Sequence, residues 1–211
     1  MTPHKASTRP VLAAAVLAAA ALAPALAGTV ASAEDAGSAW QVARGDVRVV
    51  CPMTIGGSFE AKTGSLSGTL TLTASRPAAF SGTLSVDLRS LDSGIGLRNE
   101  HMRDNYLEVG KGSGYQQAVL SDIRLDGDAG SVQGRTGFSG RLQLHGTTRD
   151  VKGQAEVHSD GASVRVVASF PVSISDYGIP KPQYLGVGVR NEVEVKVSLV
   201  ATPAAVPAGV R

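Results

Sequence analysis

The chain has 211 residues, which is enough for one domain with short extensions at its two ends. Hydrophobic residues make up 43% of it and charged residues 18%, so a wholly disordered chain is excluded, while 25 glycines and only 4% aromatic residues indicate many turns. The formal net charge is +2, and without a block of Lys or Arg the chain lacks the basic surface that nucleic-acid binding uses, so nucleic acid is not an expected partner.

Residues 1–33 have the pattern of a secretory signal peptide. A positively charged segment at 4–9 precedes an apolar Ala/Leu/Val run at 11–26, and two Ala-x-Ala triplets follow that end at Ala27 and Ala33. Cleavage after Ala33 is favoured because the polar chain begins there. The apolar run has 16 residues, fewer than the roughly 20 that cross a bilayer. We therefore expect a protein exported to the periplasm, the cell envelope or the medium, with no membrane span after cleavage.

The mature chain is expected to carry no net charge. The predicted leader contains no acid and two of the 20 basic residues, Lys5 and Arg9, so 18 basic residues then face 18 acidic ones. This balance is compatible with a freely diffusing protein and does not select a function.

Cys51 is the only cysteine, so no intramolecular disulfide can form. It follows Val49 and Val50 in an apolar stretch, which favours a small buried side chain. It lies too far beyond the leader to be a lipid-anchored cysteine. A reactive thiol or a dimer-forming thiol has no supporting motif nearby, and a homodimer stays an open alternative.

Alternation of apolar and polar residues dominates the chain from 40 to 199 and predicts strands with one buried face. The predicted buried sets are Leu66, Gly68, Leu70, Leu72; Leu84, Val86, Leu88; Val119, Ser121, Ile123, Leu125; Phe138, Gly140, Leu142, Leu144; Val164, Val166, Ala168, Phe170, Val172, Ile174; and Val193, Val195, Val197, Leu199. One-sided strands joined by tight turns are typical of antiparallel sandwiches and closed barrels. Small residues on the buried faces are compatible with two kinds of interior. One is partly hollow, and the other is a packed core with glycine where strands cross closely.

The domain organisation follows from where this alternation begins and stops. We expect a signal peptide at 1–33, a short linker at 34–39, one β-domain at 40–200 and a disordered Pro/Ala tail at 201–211. Residues 90–109 interrupt the alternation and are expected to form a short helix or an ordered loop.

The three histidines after the leader are the first residues to test for catalysis. None lies in a nucleophile elbow, a zinc-protease helix or a deaminase motif. His158 is expected on the surface and His145 on the polar side of its strand, just before a turn. His101 stands among polar residues that form a candidate metal or catalytic cluster, namely Arg98, Glu100, Arg103, Asp104 and Tyr106. Such groups more often satisfy one another, and the sequence contains no enzyme motif.

Four motifs in order resemble the YceI-like family, the polyisoprenoid-binding proteins of the bacterial periplasm. The first is GSFE at 57–60, after the opening Trp40, and the second is SLDSG at 90–94 with LRNEHMR at 97–103. The third is LQLHGTTRDV at 142–151, and the fourth is the stretch 170–189 with SDYGI at 175–179, before the closing strand 192–199. The similarity covers nearly all of 40–199.

This resemblance implies an all-β fold, an extended lipocalin-like, up-and-down antiparallel β-barrel of about eight strands with one short helix or loop insertion. It also implies a binding protein without catalysis or cofactor, whose elongated cavity accommodates a long isoprenoid chain, as on quinones or polyprenyl phosphates. Two departures concern the mouth of such a cavity: the DNYLEV stretch at 104–109 differs from the family pattern, and Pro180 and Pro182 follow the SDYGI motif. The ligand therefore cannot be named from the resemblance.

The resemblance places the binding residues on the inward faces of the barrel and at one end. The expected apolar lining is Leu70, Leu84, Val86, Leu88, Leu142, Leu144, Val166, Phe170, Val193 and Val195, and the expected head-group contacts are Arg98, His101, Arg103 and Tyr106. Each lining residue could equally belong to a packed core. A metal-binding or hydrolytic protein that uses the His101 cluster, and a structural barrel with a filled interior, remain as alternatives.

Overall fold

The computed structural model describes residues 39–73, 78–127, 133–184 and 187–204. The expected signal peptide, the expected linker except for Ala39, and the end of the expected tail lie outside the described residues. No helix within those four ranges is long and apolar enough to cross a membrane.

The described chain is mostly strand. Its strands are β1 (Ala39–Pro52), β2 (Ser58–Thr63), β3 (Leu66–Thr73), β4 (Ala79–Asp87), β5 (Gln117–Leu125), β6 (Gly134–Leu144), β7 (Thr147–Ser159), β8 (Val164–Ser173), β9 (Gln183–Tyr184), β10 (Val187–Gly188) and β11 (Glu192–Pro203). Its helical elements are α1 (Gly96–His101), a π-helical turn (Met102–Tyr106), α2 (Ser113–Gln116) and three 3₁₀ turns (Leu88–Ser90, Val109–Lys111, Ile174–Tyr177). β11 thus continues past the expected domain end at 200.

The strands form a closed antiparallel barrel. Neighbours follow chain order from β1 to β8, and β11 pairs with both β8 and β1, which closes the sheet. β2 and β3 lie along β1 in one register, Val47 opposite Thr63 and Ala39 opposite Thr71, so they act as one interrupted strand. Counted in this way, the barrel has eight strands in up-and-down order, which confirms the predicted fold. Closure pairs β11 with β1, so neither of these two strands is left as the edge of an open sheet.

Alternation determines which side chains point inward. On β8 and β11 the residues Phe170, Val172, Val193 and Leu199 are buried, whereas the charged residues between them on β11 face solvent. This is the pattern expected of an antiparallel sheet with one wet face.

One predicted face is wrong because β5 contains a bulge. Asp122 has φ +53°, and the pairing of β5 with β6 shifts register between Ser121 and Arg124. An extra residue of this kind reverses the in-out order of the strand beyond it. Ile123 and Leu125 are buried as expected, but the inward residues before the bulge are Ala118 and Leu120, and not Val119 and Ser121.

Gly68 marks a close approach of two strands. Its φ is +150°, and a Cβ there would collide with the carbonyl oxygen of Thr83 on β4. Gly82 meets the carbonyl oxygen of Thr69 in the same way, with φ +108°. Glycine at both positions thus allows β3 and β4 to pair closely, which other residues would prevent.

The expected position of His145 is also wrong. His145 and Gly146 have φ of +51° and +72° and form the two-residue turn between β6 and β7, so the strand alternation no longer applies to them. The side chain is only 9% exposed and lies over the barrel end. Its Nδ1 is 2.9 Å from the carbonyl oxygen of Tyr177, and its Nε2 is 2.9 Å from the carboxylate of Glu108. His145 therefore connects three chain segments at this end.

Candidate ligand cavity

The interior of the barrel contains a cavity of about 740 Å³. This is within the range of roughly 300–1,000 Å³ typical of small-molecule sites. Its wall consists of inward residues from every barrel strand except β7: Val47, Val49 and Cys51; Phe59 and Ala61; Leu66; Leu84 and Val86; Ala118 and Leu120; Leu142 and Leu144; Phe170 and Val172; and Val193, Val195 and Val197. The wall is apolar because each strand turns its apolar face toward the axis.

The connection between β4 and β5 forms a lid over one end of the cavity. The lid contributes Leu88, Leu91, Ile95, Leu97, Met102, Tyr106 and Leu107 to the lining. It is fixed to β2 by backbone hydrogen bonds between Asp92 and Lys62, at 2.8 and 2.9 Å. The Asn99 amide holds the start of the lid, since its Oδ1 accepts from Ser93 N at 2.8 Å and its Nδ2 donates to Asp92 Oδ1 at 2.6 Å.

A second segment covers the same end from the opposite side. The connection between β8 and β11 lines the cavity with Ile174, Ile179, Pro182, Gln183, Val187, Gly188 and Val189. Thr54 joins it to the β1–β2 loop, because Thr54 N donates to Gly188 O at 2.8 Å and its hydroxyl accepts from Gly188 N at 2.9 Å. Met53 of that loop also lines the cavity.

The rim of the cavity is apolar on its outer side as well. The exposed large hydrophobic residues of the described chain are Ile55, Ile95, Leu97 and Val167, with Ile55 66% and Leu97 61% exposed. Ile95 and Leu97 also line the cavity, and Ile55 belongs to the β1–β2 loop at the same end. Exposed apolar surface at this end is therefore continuous with the apolar interior.

The polar part of the lining is small and lies at the lid end. Within the described chain it consists of Arg98, His101, Asn105, Tyr106, Gln183 and the Cys51 thiol, with no Asp or Glu. The guanidinium carbon of Arg98 lies 4.3 Å from the centroid of the Phe59 ring, a cation–π contact.

Cys51 is buried, which confirms the prediction from its apolar neighbours. Burial raises the pKa of the Cys51 thiol to about 11, although nearby Arg98 acts in the opposite direction. The thiol is therefore protonated at neutral pH and contributes to the wall as a small apolar group.

The structure brings most of the predicted site residues together around the cavity. Eight predicted apolar residues line it, namely Leu84, Val86, Leu88, Leu142, Leu144, Phe170, Val193 and Val195, as do Arg98, His101 and Tyr106. Three predicted residues lie elsewhere. Leu70 pairs with Trp40 far from the lid, Val166 packs among buried core residues, and Arg103 donates to the carbonyl oxygen of Arg89 at 3.0 Å. Ligand contact by any of these residues stays a prediction.

Several lining residues were not among those predicted from the sequence. Val47 and Val49 alternate with polar residues and could have been found by the same rule. Ala118 and Leu120 were hidden by the bulge at Asp122. The lining residues of the β8–β11 connection have no periodic pattern, so only the family resemblance, which placed Pro180 and Pro182 at the mouth, pointed to this segment.

The His101 cluster does not form a metal site in the described residues. No group of three His, Cys, Asp or Glu side chains there is close enough to hold an ion. His101 is exposed, and in the described chain no ion pair joins it to Glu100 or Asp104. His158 is exposed as predicted and lies 3.0 Å from the carboxylate of Glu156.

Comparison with known proteins gives one family and one fold. The sequence profile of the YceI-like domain matches residues 39–201. No curated protein matches this chain. A polyisoprenoid binding domain from Saccharophagus degradans, implicated in plant cell wall breakdown, is 18% identical with a TM-score of 0.59, over 79% of this chain and 99% of that one. BcnA of Burkholderia cenocepacia is 22% identical with a TM-score of 0.60, over 75% of this chain and 96% of that one. With its closed barrel and a profile match that covers all of it but the last two residues of β11, the chain belongs to the YceI-like family.

Proposed function

We propose that this protein is an exported carrier that holds one long isoprenoid or other lipid chain in its barrel, without catalysing a reaction. The observation that carries the proposal is the apolar cavity of about 740 Å³, which opens at an apolar rim. Each methylene that leaves water for such a cavity contributes about 0.8 kcal/mol, so a long chain binds without specific polar contacts. The Saccharophagus degradans domain, described as polyisoprenoid binding, supports the same proposal.

The proposed export rests on the sequence of residues 1–33. Their charged start, apolar run and Ala-x-Ala triplets are those of a cleaved leader. A carrier outside the cytoplasm would move a water-insoluble chain through an aqueous compartment, which the apolar cavity makes feasible.

A filled-cavity variant tests the proposal. Ala118 lines the cavity, so Ala118→Trp should place an indole in the space that a ligand would occupy. With geranylgeraniol, a C20 polyprenyl alcohol, as probe, we expect the wild-type melting temperature to rise with probe concentration. The variant should fold but bind the probe at least about tenfold more weakly, because it loses several buried methylene contacts.

Val167→Trp is the matched control, since Val167 is 49% exposed and does not line the cavity. It should bind geranylgeraniol as the wild type does. Equal binding by Ala118→Trp and the wild type would contradict the proposed site, and no binding by the wild type would contradict the carrier function with this probe class.

A further inference from the structure

Among the residues that the structure describes, Arg98 is the one Lys or Arg side chain that lines the cavity, and no Asp or Glu of this set lines it. It lies on α1 with His101, and Asn105 follows in the π-helical turn; all three residues line the cavity. The cavity therefore combines an apolar wall with a single region of positive charge at its mouth.

Arg98 also lacks a protein counter-ion. Among the Lys and Arg residues that the structure describes, only Arg98 and Arg103 are not exposed. Arg103 donates a hydrogen bond to the Arg89 carbonyl oxygen. Arg98 has no ion pair or hydrogen bond within the described chain, where its guanidinium makes only the cation–π contact with the Phe59 ring. All other unpaired cations of the described ranges are exposed to water.

Arg98 is half-buried, and its guanidinium has no acceptor among the described residues. It carries five N–H donors in a planar fork, and withholding water from a charge without pairing it is unfavourable. A cation–π contact offsets only part of this cost, about 0.5–2 kcal/mol. The same fork matches the oxygens of a phosphate or carboxylate, whose charge-assisted hydrogen bonds are stronger than those to a neutral oxygen.

We infer, on the basis of the proposed function, that the ligand is a single-chain amphiphile with an anionic oxygen head group, a phosphate, pyrophosphate or carboxylate. The chain lies in the barrel, and Arg98 binds the head at the mouth with His101 and Asn105 beside it. The site thereby selects anionic lipids over alcohols and quinones that have the same chain.

Two probes with one chain separate the head group from the chain. Geranylgeranyl phosphate and geranylgeraniol are titrated against the wild type, Arg98→Met, Arg98→Lys and the control Lys181→Met. Lys181 is exposed and does not line the cavity, so its removal changes the net charge by the same amount without touching the site. Melting temperatures without probe show whether each variant is folded.

The wild type and Lys181→Met should bind the phosphate about tenfold to a hundredfold more tightly than the alcohol. Arg98→Met should lose this preference for the phosphate over the alcohol, and Arg98→Lys should retain part of it. Palmitate and hexadecanol are compared in the same way. A preference for palmitate over hexadecanol would show that the site also selects a carboxylate head group.

Equal affinity of the wild type for the charged and neutral member of both pairs would overturn the inference and leave the carrier function standing. So would a preference that persists in Arg98→Met. Failure of the wild type to bind any of the four probes would overturn the carrier function as well. Because the wild-type comparison needs no variant, the inference can fail even if Arg98→Met does not fold.

Discussion

Cys51 lies in the cavity wall, where burial raises the pKa of its thiol to about 11, against 9.0 for an unperturbed cysteine. Only the thiolate reacts with alkylating agents. At pH 8 the folded protein should therefore react with iodoacetamide about a hundredfold more slowly than the urea-unfolded chain, since a shift of two units changes the thiolate fraction by that factor. The folded rate should keep rising until the pH approaches 11. Alkylation of the folded protein as fast as that of the unfolded chain would show an accessible, ordinary thiol.

Cys51 and His145 differ in how well their positions could be predicted from the sequence. Cys51 was placed correctly because its neighbours Val49 and Val50 already implied a buried strand. His145 was misplaced because the alternation rule assumes extended backbone, and the left-handed φ of His145 ends that conformation. A histidine before glycine at a hairpin position is a hint of such a turn, but the partners of its ring belong to distant segments.

At the scale of elements, His145 joins the turn between β6 and β7 to both covers of the cavity. Its ring nitrogens contact Tyr177 of the β8–β11 connection and Glu108 of the lid, and the ring of Tyr115 packs edge-to-face against it at 4.7 Å. His145→Ala should lower the free energy of unfolding in urea by about 1–3 kcal/mol, because buried polar groups lose their partners.

His158→Ala is the matched control for this prediction. His158 is exposed and pairs with Glu156 on the surface, so its removal should change the free energy of unfolding by less than about 0.5 kcal/mol. If the two substitutions lowered the free energy of unfolding equally, the contacts of His145 with the lid and with the β8–β11 connection would not be stabilising.

The strands themselves could be predicted to a large extent. Each set of alternating residues proposed from the sequence falls on a strand except at its end in two cases, since Leu88 and Ile174 already belong to 3₁₀ turns. The agreement arises because a closed barrel with one wet face imposes a period of two on each strand. The bulge at Asp122 was not predicted, since a single inserted residue leaves both halves of β5 individually regular. The lid was expected as a short helix or loop, and only the family resemblance placed part of it at one end of the barrel. Its position over the cavity depends on contacts such as Asp92 with Lys62 that join distant parts of the chain.

At the scale of the whole molecule, the sequence left a hollow and a filled barrel undecided. Gly68 illustrates why, because a small inward residue fits either interior, and the structure shows that it serves the close approach of β3 and β4. The cavity arises instead from the radius of an eight-stranded barrel whose inward side chains are mostly Val, Leu and Ala. Such a barrel is wide enough to hold one small ligand, and this property belongs to the closed sheet and not to any one strand.

Native mass spectrometry of the protein, exported by a bacterial host and purified without denaturant or organic solvent, tests the carrier function most directly. The wild type should carry a noncovalent adduct with the mass of a single-chain lipid, which is lost on solvent extraction. The Ala118→Trp variant, prepared in parallel, should carry little or none of it. A wild type that shows only the mass of its polypeptide, and still does so after incubation with a bacterial lipid extract, would contradict the claim that this barrel holds a lipid chain.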